Sequence, residues 1–186
     1  QQLCEVMLDA LDQPVLTLAL DSGEDLLSAL NLDSQRHEAV LPLTAMQYDM
    51  FMDTQINPSS LQNSHGWHIH IRRPLDVDLW KQCLQMISDR QPMARVQFVA
   101  GVKPWHDMGY LAVRRSHFID FDVLDFSAEG LDAGGLESLV RGIIYRPYNL
   151  TVDELIRYGV IKLASDHYVV FTAVHHAVFD GAALNS

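Results

Sequence analysis

Two adjacent histidines, followed by an aspartate and a glycine, close one apolar stretch of this chain: Tyr168-Val169-Val170-Phe171-Thr172-Ala173-Val174-His175-His176-Ala177-Val178-Phe179-Asp180-Gly181. The ordinary pKa of histidine lies nearest neutrality, so these side chains suit proton transfer at cellular pH. Adjacent residues on a strand point to opposite faces. His175 and His176 therefore do not easily share one metal ion. One is expected to point inward and hold the loop, the other to point to a cleft. Asp180, at the turn, is placed to order the loop through backbone amides or an arginine. Gly181 lets the backbone turn or lets a substrate approach. No Ser or Cys sits in a nucleophile-elbow pattern, so a covalent acyl-enzyme is not suggested. Direct transfer fits better, with histidine as base on an attacking amine or hydroxyl. At this level a catalytic and a structural role for the pair both stay open.

The β-branched run before the histidines reads as a buried strand, a rigid carrier for groups that open into a loop. Arg157–Leu163 reads as a second strand. The turn at Ser165-Asp166-His167 makes the two an antiparallel hairpin. Upstream, Pro74–Arg90 holds a helix with a core stripe of Trp80, Cys83, Leu84 and Ile87, ended by Pro92. Arg95–Val99 reads as a strand with Gly109–Arg114 as its partner or neighbour. Leu136, Leu139, Val140, Ile143 and Ile144 stripe another helix, stopped by Pro147. Thr44 is an N-cap for a helix over Ala45–Asp53 that puts Met46, Met50 and Phe51 on one side. A strand at Val15–Leu20 and a helix after Ser22 open the chain. Strands and helices alternate without a regular βαβ rhythm. The expected class is α/β of the α+β mixed kind: a mixed, largely antiparallel sheet with helices packed on it.

Two other groups of polar residues invite a metal reading. His68 and His70 share one face of a strand that starts at Trp67, but zinc sites want three or four ligands. Asp120, Asp122 and Asp125 lack the calcium-loop spacing. The alternation of Ile119, Phe121 and Val123 predicts a half-buried strand with a wet face. No metal is expected at either place.

Composition narrows the class. The 186 residues suit one ordinary domain, and 48% hydrophobic with 20% charged residues suits a globular chain. A formal charge of −11 argues against nucleic acid or an anionic membrane as partner. No run approaches the length a membrane helix needs. Glu5, Asp9 and Asp12 stand where a secretory signal would be positive, so no signal peptide is expected. Cys4 and Cys83 are too few for a disulfide framework, and a cytoplasmic location is the expectation. The start at Gln1 and the helix-like Ala182–Ser186 give the expectation of a piece of something longer.

The motif and three further elements carry a family resemblance. His175–Gly181 resembles the HHxxxDG signature of the condensation domains of nonribosomal peptide synthetases. Leu41-Pro42-Leu43-Thr44-Ala45-Met46-Gln47 resembles their opening YPLSPMQ element, and Arg90–Phe98 their RHPxLRTxF element. Arg146-Pro147-Tyr148-Asn149-Leu150, with Leu155-Ile156-Arg157, resembles xPFDL…PLxR. Gln91, Val96 and Asn149 depart from the usual His, Thr and Asp. The four elements stand in the family's order across residues 38–186. The resemblance implies a chloramphenicol-acetyltransferase-like fold of two lobes with a tunnel between them. Residues 38–186 would be the N-terminal lobe, truncated after the motif. Residues 1–37 would be a linker, a docking segment or the end of a preceding domain, although an ordinary N-terminal hairpin and helix packed on the fold reads equally well there.

The implied activity is amide formation between a donor acyl or peptidyl thioester and the amino group of an acceptor. His176 would be the active-site histidine, His175 its support, and Asp180 a structural partner of Arg95, Arg90 or Arg157. Gly181 would lie near the reacting groups, its amide able to orient them or to stabilise negative charge. Both substrates would arrive on phosphopantetheine arms of carrier domains, with no metal and no directly bound cofactor. The implied partners are carrier domains, the C-terminal lobe and neighbouring synthetase domains. An ester-forming or stand-alone acyltransferase of the same signature is the first alternative. A non-catalytic lobe for carrier docking or gatekeeping is the second.

Overall fold

Side-chain caps and prolines set the helix boundaries in the computed structural model, which describes residues 23–100 and 109–179. The expected strand at Val15–Leu20 lies outside those residues, as do Asp180 and Gly181. A first short helix, α1 (Gly23–Ala29), buries Leu26, with Leu30 just past its end, against Tyr110. Helix α2 (Ala45–Ile56) opens on Thr44, whose hydroxyl accepts from Gln47 N while the Gln47 side chain accepts from Thr44 N. Asp76 caps α3 (Val77–Arg90) by accepting from Leu79 N, and Asp132 caps α4 (Ala133–Ile144) by accepting from Gly135 N. Helix α2 ends just before Pro58 and α3 just before Pro92, since the residue preceding proline resists helix. Helix α2 buries its stripe through Met50 and Phe51, which pack on the core, while Met46 is 66% exposed.

The described strands form two sheets. The first joins β1 (His37–Pro42), β4 (Tyr110–Arg114) and β3 (Val96–Val99) in that order, all antiparallel. The second runs β2 (Ser64–Ile71), β7 (His167–His175), β6 (Ile156–Ala164) and β5 (Val123–Asp125). Only β5–β6 is parallel in it. The expected hairpin is the β6–β7 pair, turning between Ala164 and His167. The mixed, largely antiparallel architecture with packed helices is thus present, divided between two sheets.

One expected strand is largely absent. Of the Ile119–Val123 alternation only Val123 enters a ladder, as the first residue of β5. The Gln85 side chain takes the backbone bonds instead: its carbonyl accepts from Ile119 N at 2.8 Å and its amide donates to His117 O at 2.9 Å. Asp120 binds Phe121 N and pairs with Lys81. Backbone groups taken by the side chains of Gln85 and Asp120 are not free for a neighbouring strand.

Two cores meet at the end of β7. Helix α4 packs Val140 and Ile144 on Ile161, Val169, Phe171 and Ala173 of the second sheet. Gly66 of β2 permits that approach, because a Cβ there would collide with the Ile144 side chain. The other core gathers Val96, Phe98, Leu111 and Val113 of the first sheet with Tyr148, Leu150 and Leu155. Ala177 and Val178, the residues just past His176, belong to it. Burying Val178, 6% exposed, contributes roughly 2 kcal/mol. The motif turn is therefore anchored in the core of the sheet it does not belong to.

Candidate active site

The ladder around β7 ends in two bonds to opposite neighbours. His175 N donates to Leu155 O at 2.9 Å, and His176 N donates to Asn63 O at 2.8 Å. The chain then bends into a 3₁₀ turn over His176–Val178. Gln47, already locked in the cap of α2, donates its amide to Ala177 O at 2.9 Å. Two strands, one helix cap and one apolar core thus hold a turn of three residues.

The two histidines are fixed in opposite tautomers. His175 is 2% exposed, and its Nδ1 accepts from Ala177 N at 3.2 Å. A neutral ring that accepts at Nδ1 carries its proton on Nε2. Burial above all, with the neighbouring His176 and His65, pushes the His175 pKa down to about 4. It is neutral near pH 7 and holds the turn. His176 is half-buried, and its Nδ1 lies 2.8 Å from Phe179 O. A carbonyl can only accept, so Nδ1 is the protonated nitrogen of the neutral ring. The lone pair is then on Nε2, which makes Nε2 the basic atom. This answers the expectation of one inward and one cleft-facing histidine: His175 is the inward one.

Around them lies a shell read only in part from the sequence. The Tyr148 ring meets His175 edge-on, centroids 5.5 Å apart, and the Arg157 guanidinium sits 3.8 Å above Tyr148. Arg157 also donates to Arg146 O at 2.8 Å, while its Nε is buried without a hydrogen-bond partner among the described residues. Burial raises the Tyr148 phenol pKa, opposed by Arg157. On the other side the His65 ring stands 4.9 Å from His176, and Trp67 lies 5.6 Å from Phe179. His65 escapes the sequence reading because the alternation is plain only from Trp67 onward. Extending the same two-residue period backwards reaches it.

The three arginines separate. Arg157 reaches the surroundings of His175. Arg95 is 4% exposed and serves the first sheet, donating to Arg114 O, Arg115 O and Glu38. Arg90 is exposed at the end of α3. Asp180 and Gly181 lie outside the described residues.

At the far end of the same strands His68 and His70 do find a third histidine. His70 Nδ1 is 3.0 Å from His167 Nε2, and the His68 and His70 rings are 5.6 Å apart. Among the described residues no group of three or more His, Cys, Asp or Glu is arranged to hold a metal ion. No helix among them is long and apolar enough to cross a membrane.

Comparison with known proteins gives a consistent set of likenesses. The family model for the condensation domain matches residues 37–185. Tyrocidine synthase 3 of Brevibacillus parabrevis is 25% identical over 143 residues, 77% of this chain and 2% of that protein. Cyclosporin synthetase simA of Tolypocladium inflatum is 24% identical over 190 residues, 93% of this chain and 1% of that protein. The chain thus spans about a fiftieth or less of these relatives. The crystal structure of the starter condensation domain of rhizomide synthetase RzmA superposes with a TM-score of 0.68 at 21% identity, over 78% of this chain and 36% of the other. The four-domain nonribosomal peptide synthetase AB3403 gives 0.66 at 16% identity, over 77% of this chain and 11% of that one. These two likenesses speak for the fold.

Proposed function

The chain belongs to the condensation-domain family, whose general reaction is amide-bond formation, and from this we propose that it forms peptide bonds as part of a nonribosomal peptide synthetase. Residues 38–186 act as the N-terminal lobe, and the described segment before them, through α1, packs on its first sheet. The donor is an acyl or peptidyl thioester and the acceptor an amine, each delivered on the phosphopantetheine arm of a carrier domain. A C-terminal lobe and neighbouring synthetase domains complete the site.

The observation that carries this reading is the bond from His176 Nδ1 to Phe179 O. It leaves Nε2 as base while the acceptor nitrogen attacks the donor carbonyl. The new C–N bond forms, the C–S bond breaks, and the amine proton passes to Nε2 and on to the departing thiolate. Amine attack on a thioester runs downhill, so holding the reactants in place supplies as much as the proton transfer does. His175, neutral and buried, keeps the turn in shape. Arg157 is the candidate partner for Asp180, because of the three arginines it alone reaches the surroundings of His175 and its buried Nε has no acceptor among the described residues. The Gly181 amide orients the reacting carbonyl.

The test uses the full-length synthetase with donor and acceptor loaded on their carriers and follows the acceptor carrier by mass spectrometry. Amide-linked product is expected. Turnover of a hydroxyl acceptor in preference to the amine would replace the reading with ester formation. Loading without product from either acceptor would leave a docking role. The lobe alone is expected to be inactive, and amide formation by it would contradict the two-lobe site.

A further inference from the structure

Strand β2 places two rings over the motif turn. His65 meets His176 edge-on, centroids 4.9 Å apart and planes at 62°. Trp67, two residues on and so on the same face, lies 5.6 Å from Phe179. Phe179 supplies the carbonyl that fixes the His176 tautomer. One ring therefore covers the base and the other covers the residue that orients it. The placement is locked by register: Ser64 pairs with His175, and His176 N is bound to Asn63 O.

The His176 ring turns about its Cβ–Cγ bond, and a single hydrogen bond at Nδ1 leaves part of that rotation free. The direction of the Nε2 lone pair then stays loose. A second ring set edge-to-face, an arrangement aromatic pairs prefer, removes that rotation. We propose that His65 is a positioning residue of the condensation reaction, holding the plane of the His176 ring so that Nε2 faces the acceptor amine. The proposal rests on the function proposed above. His65 is exposed, so its truncation leaves the core untouched.

The experiment measures single-turnover amide formation and acceptor KM in the full-length synthetase, with substrates the wild type converts. The variants are His65→Ala, His65→Phe and, as reference, His176→Ala. His65→Ala is expected to slow bond formation roughly tenfold with acceptor KM unchanged, a part of the roughly 10²–10⁴ a general base supplies. His65→Phe keeps a ring without titratable nitrogens and is expected to stay within about threefold of wild type, because the geometry is kept. Both His65 variants at the wild-type rate would overturn the proposal. So would equal losses in both, which would point to the imidazole nitrogens, or a raised KM at unchanged kcat, which would point to binding. His176→Ala separates the two readings. If it alone is impaired, the functional reading stands and the His65 proposal falls. If it reacts as fast as wild type, both fall.

Discussion

At one end of the β2–β7 ladder stand His65, His175 and His176; at the other stand His68, His70 and His167. Strands β2 and β7, with the turn that follows β7, carry both trios, yet the nitrogens meet different partners. At the far end one imidazole nitrogen faces another, His70 Nδ1 to His167 Nε2, on an exposed edge. One ring donates and the other accepts, so the pair uses up a base to satisfy a base. At the motif end every ring bond goes to the backbone: Ala177 N donates to His175, and His176 donates to Phe179 O. Backbone partners neither titrate nor swap roles, so they fix the tautomers and leave Nε2 of His176 as a base. The difference teaches that histidine number and proximity do not make a site. What the other nitrogen binds decides it.

The largest contrast is in rate. His176→Ala in the full-length synthetase should lose roughly 10²–10⁴-fold in amide formation, whereas His167→Ala should react at the wild-type rate. Equal rates for the two variants would erase the distinction between the ends.

Next comes the pH dependence of stability. The folded pKa of His175 is about 4 against an ordinary 6.5. Between those values the unfolded chain binds the extra proton, so stability is full above about pH 6.5 and falls as pH drops toward 4. The loss across that window is on the order of 3 kcal/mol. Urea unfolding at a series of pH values measures it. A His175→Leu variant should lose most of that slope, and the remainder belongs to His70 and His117, which burial also holds below the ordinary histidine value.

A smaller effect is expected from Arg157→Met. Loss of the guanidinium over Tyr148 should lower stability by about 1 kcal/mol, read by thermal unfolding. Amide formation should slow as well, since Tyr148 packs on His175. Arg95→Met should spare the rate of the folded enzyme, because its partners are Glu38 and the β4 end of the first sheet. The smallest effect belongs to the far end. His70→Ala should change stability by less than about 0.5 kcal/mol, as an exposed substitution does.

Much of this arrangement is legible in the sequence. The β-branched run, the turn after Ala164 and the capped, striped helices identify the strands and helices that carry the motif. Two of the resemblance elements close on it physically: Gln47 clasps Ala177, and Tyr148 with Arg157 stacks toward His175. Other features are not legible, for physical reasons. His65 is hidden because Gly66 beside it blurs the start of β2, and that glycine exists for the packing of Ile144. The choice among Arg90, Arg95 and Arg157 depends on which carbonyls and carboxylates the fold brings to each, a long-range matter. The missing strand at Ile119–Val123 turns on one side chain, Gln85, that outcompetes a ladder from a separate helix.

The central claim is that the two adjacent histidines hold opposite tautomers, and nitrogen NMR reads it without any substrate. A long-range ¹H–¹⁵N spectrum of the histidine-labelled protein, recorded where both rings are neutral, distinguishes the protonated nitrogen of each ring. The account predicts the proton on Nδ1 of His176 and on Nε2 of His175. A proton on Nε2 of His176 would remove the base from the site and contradict the account.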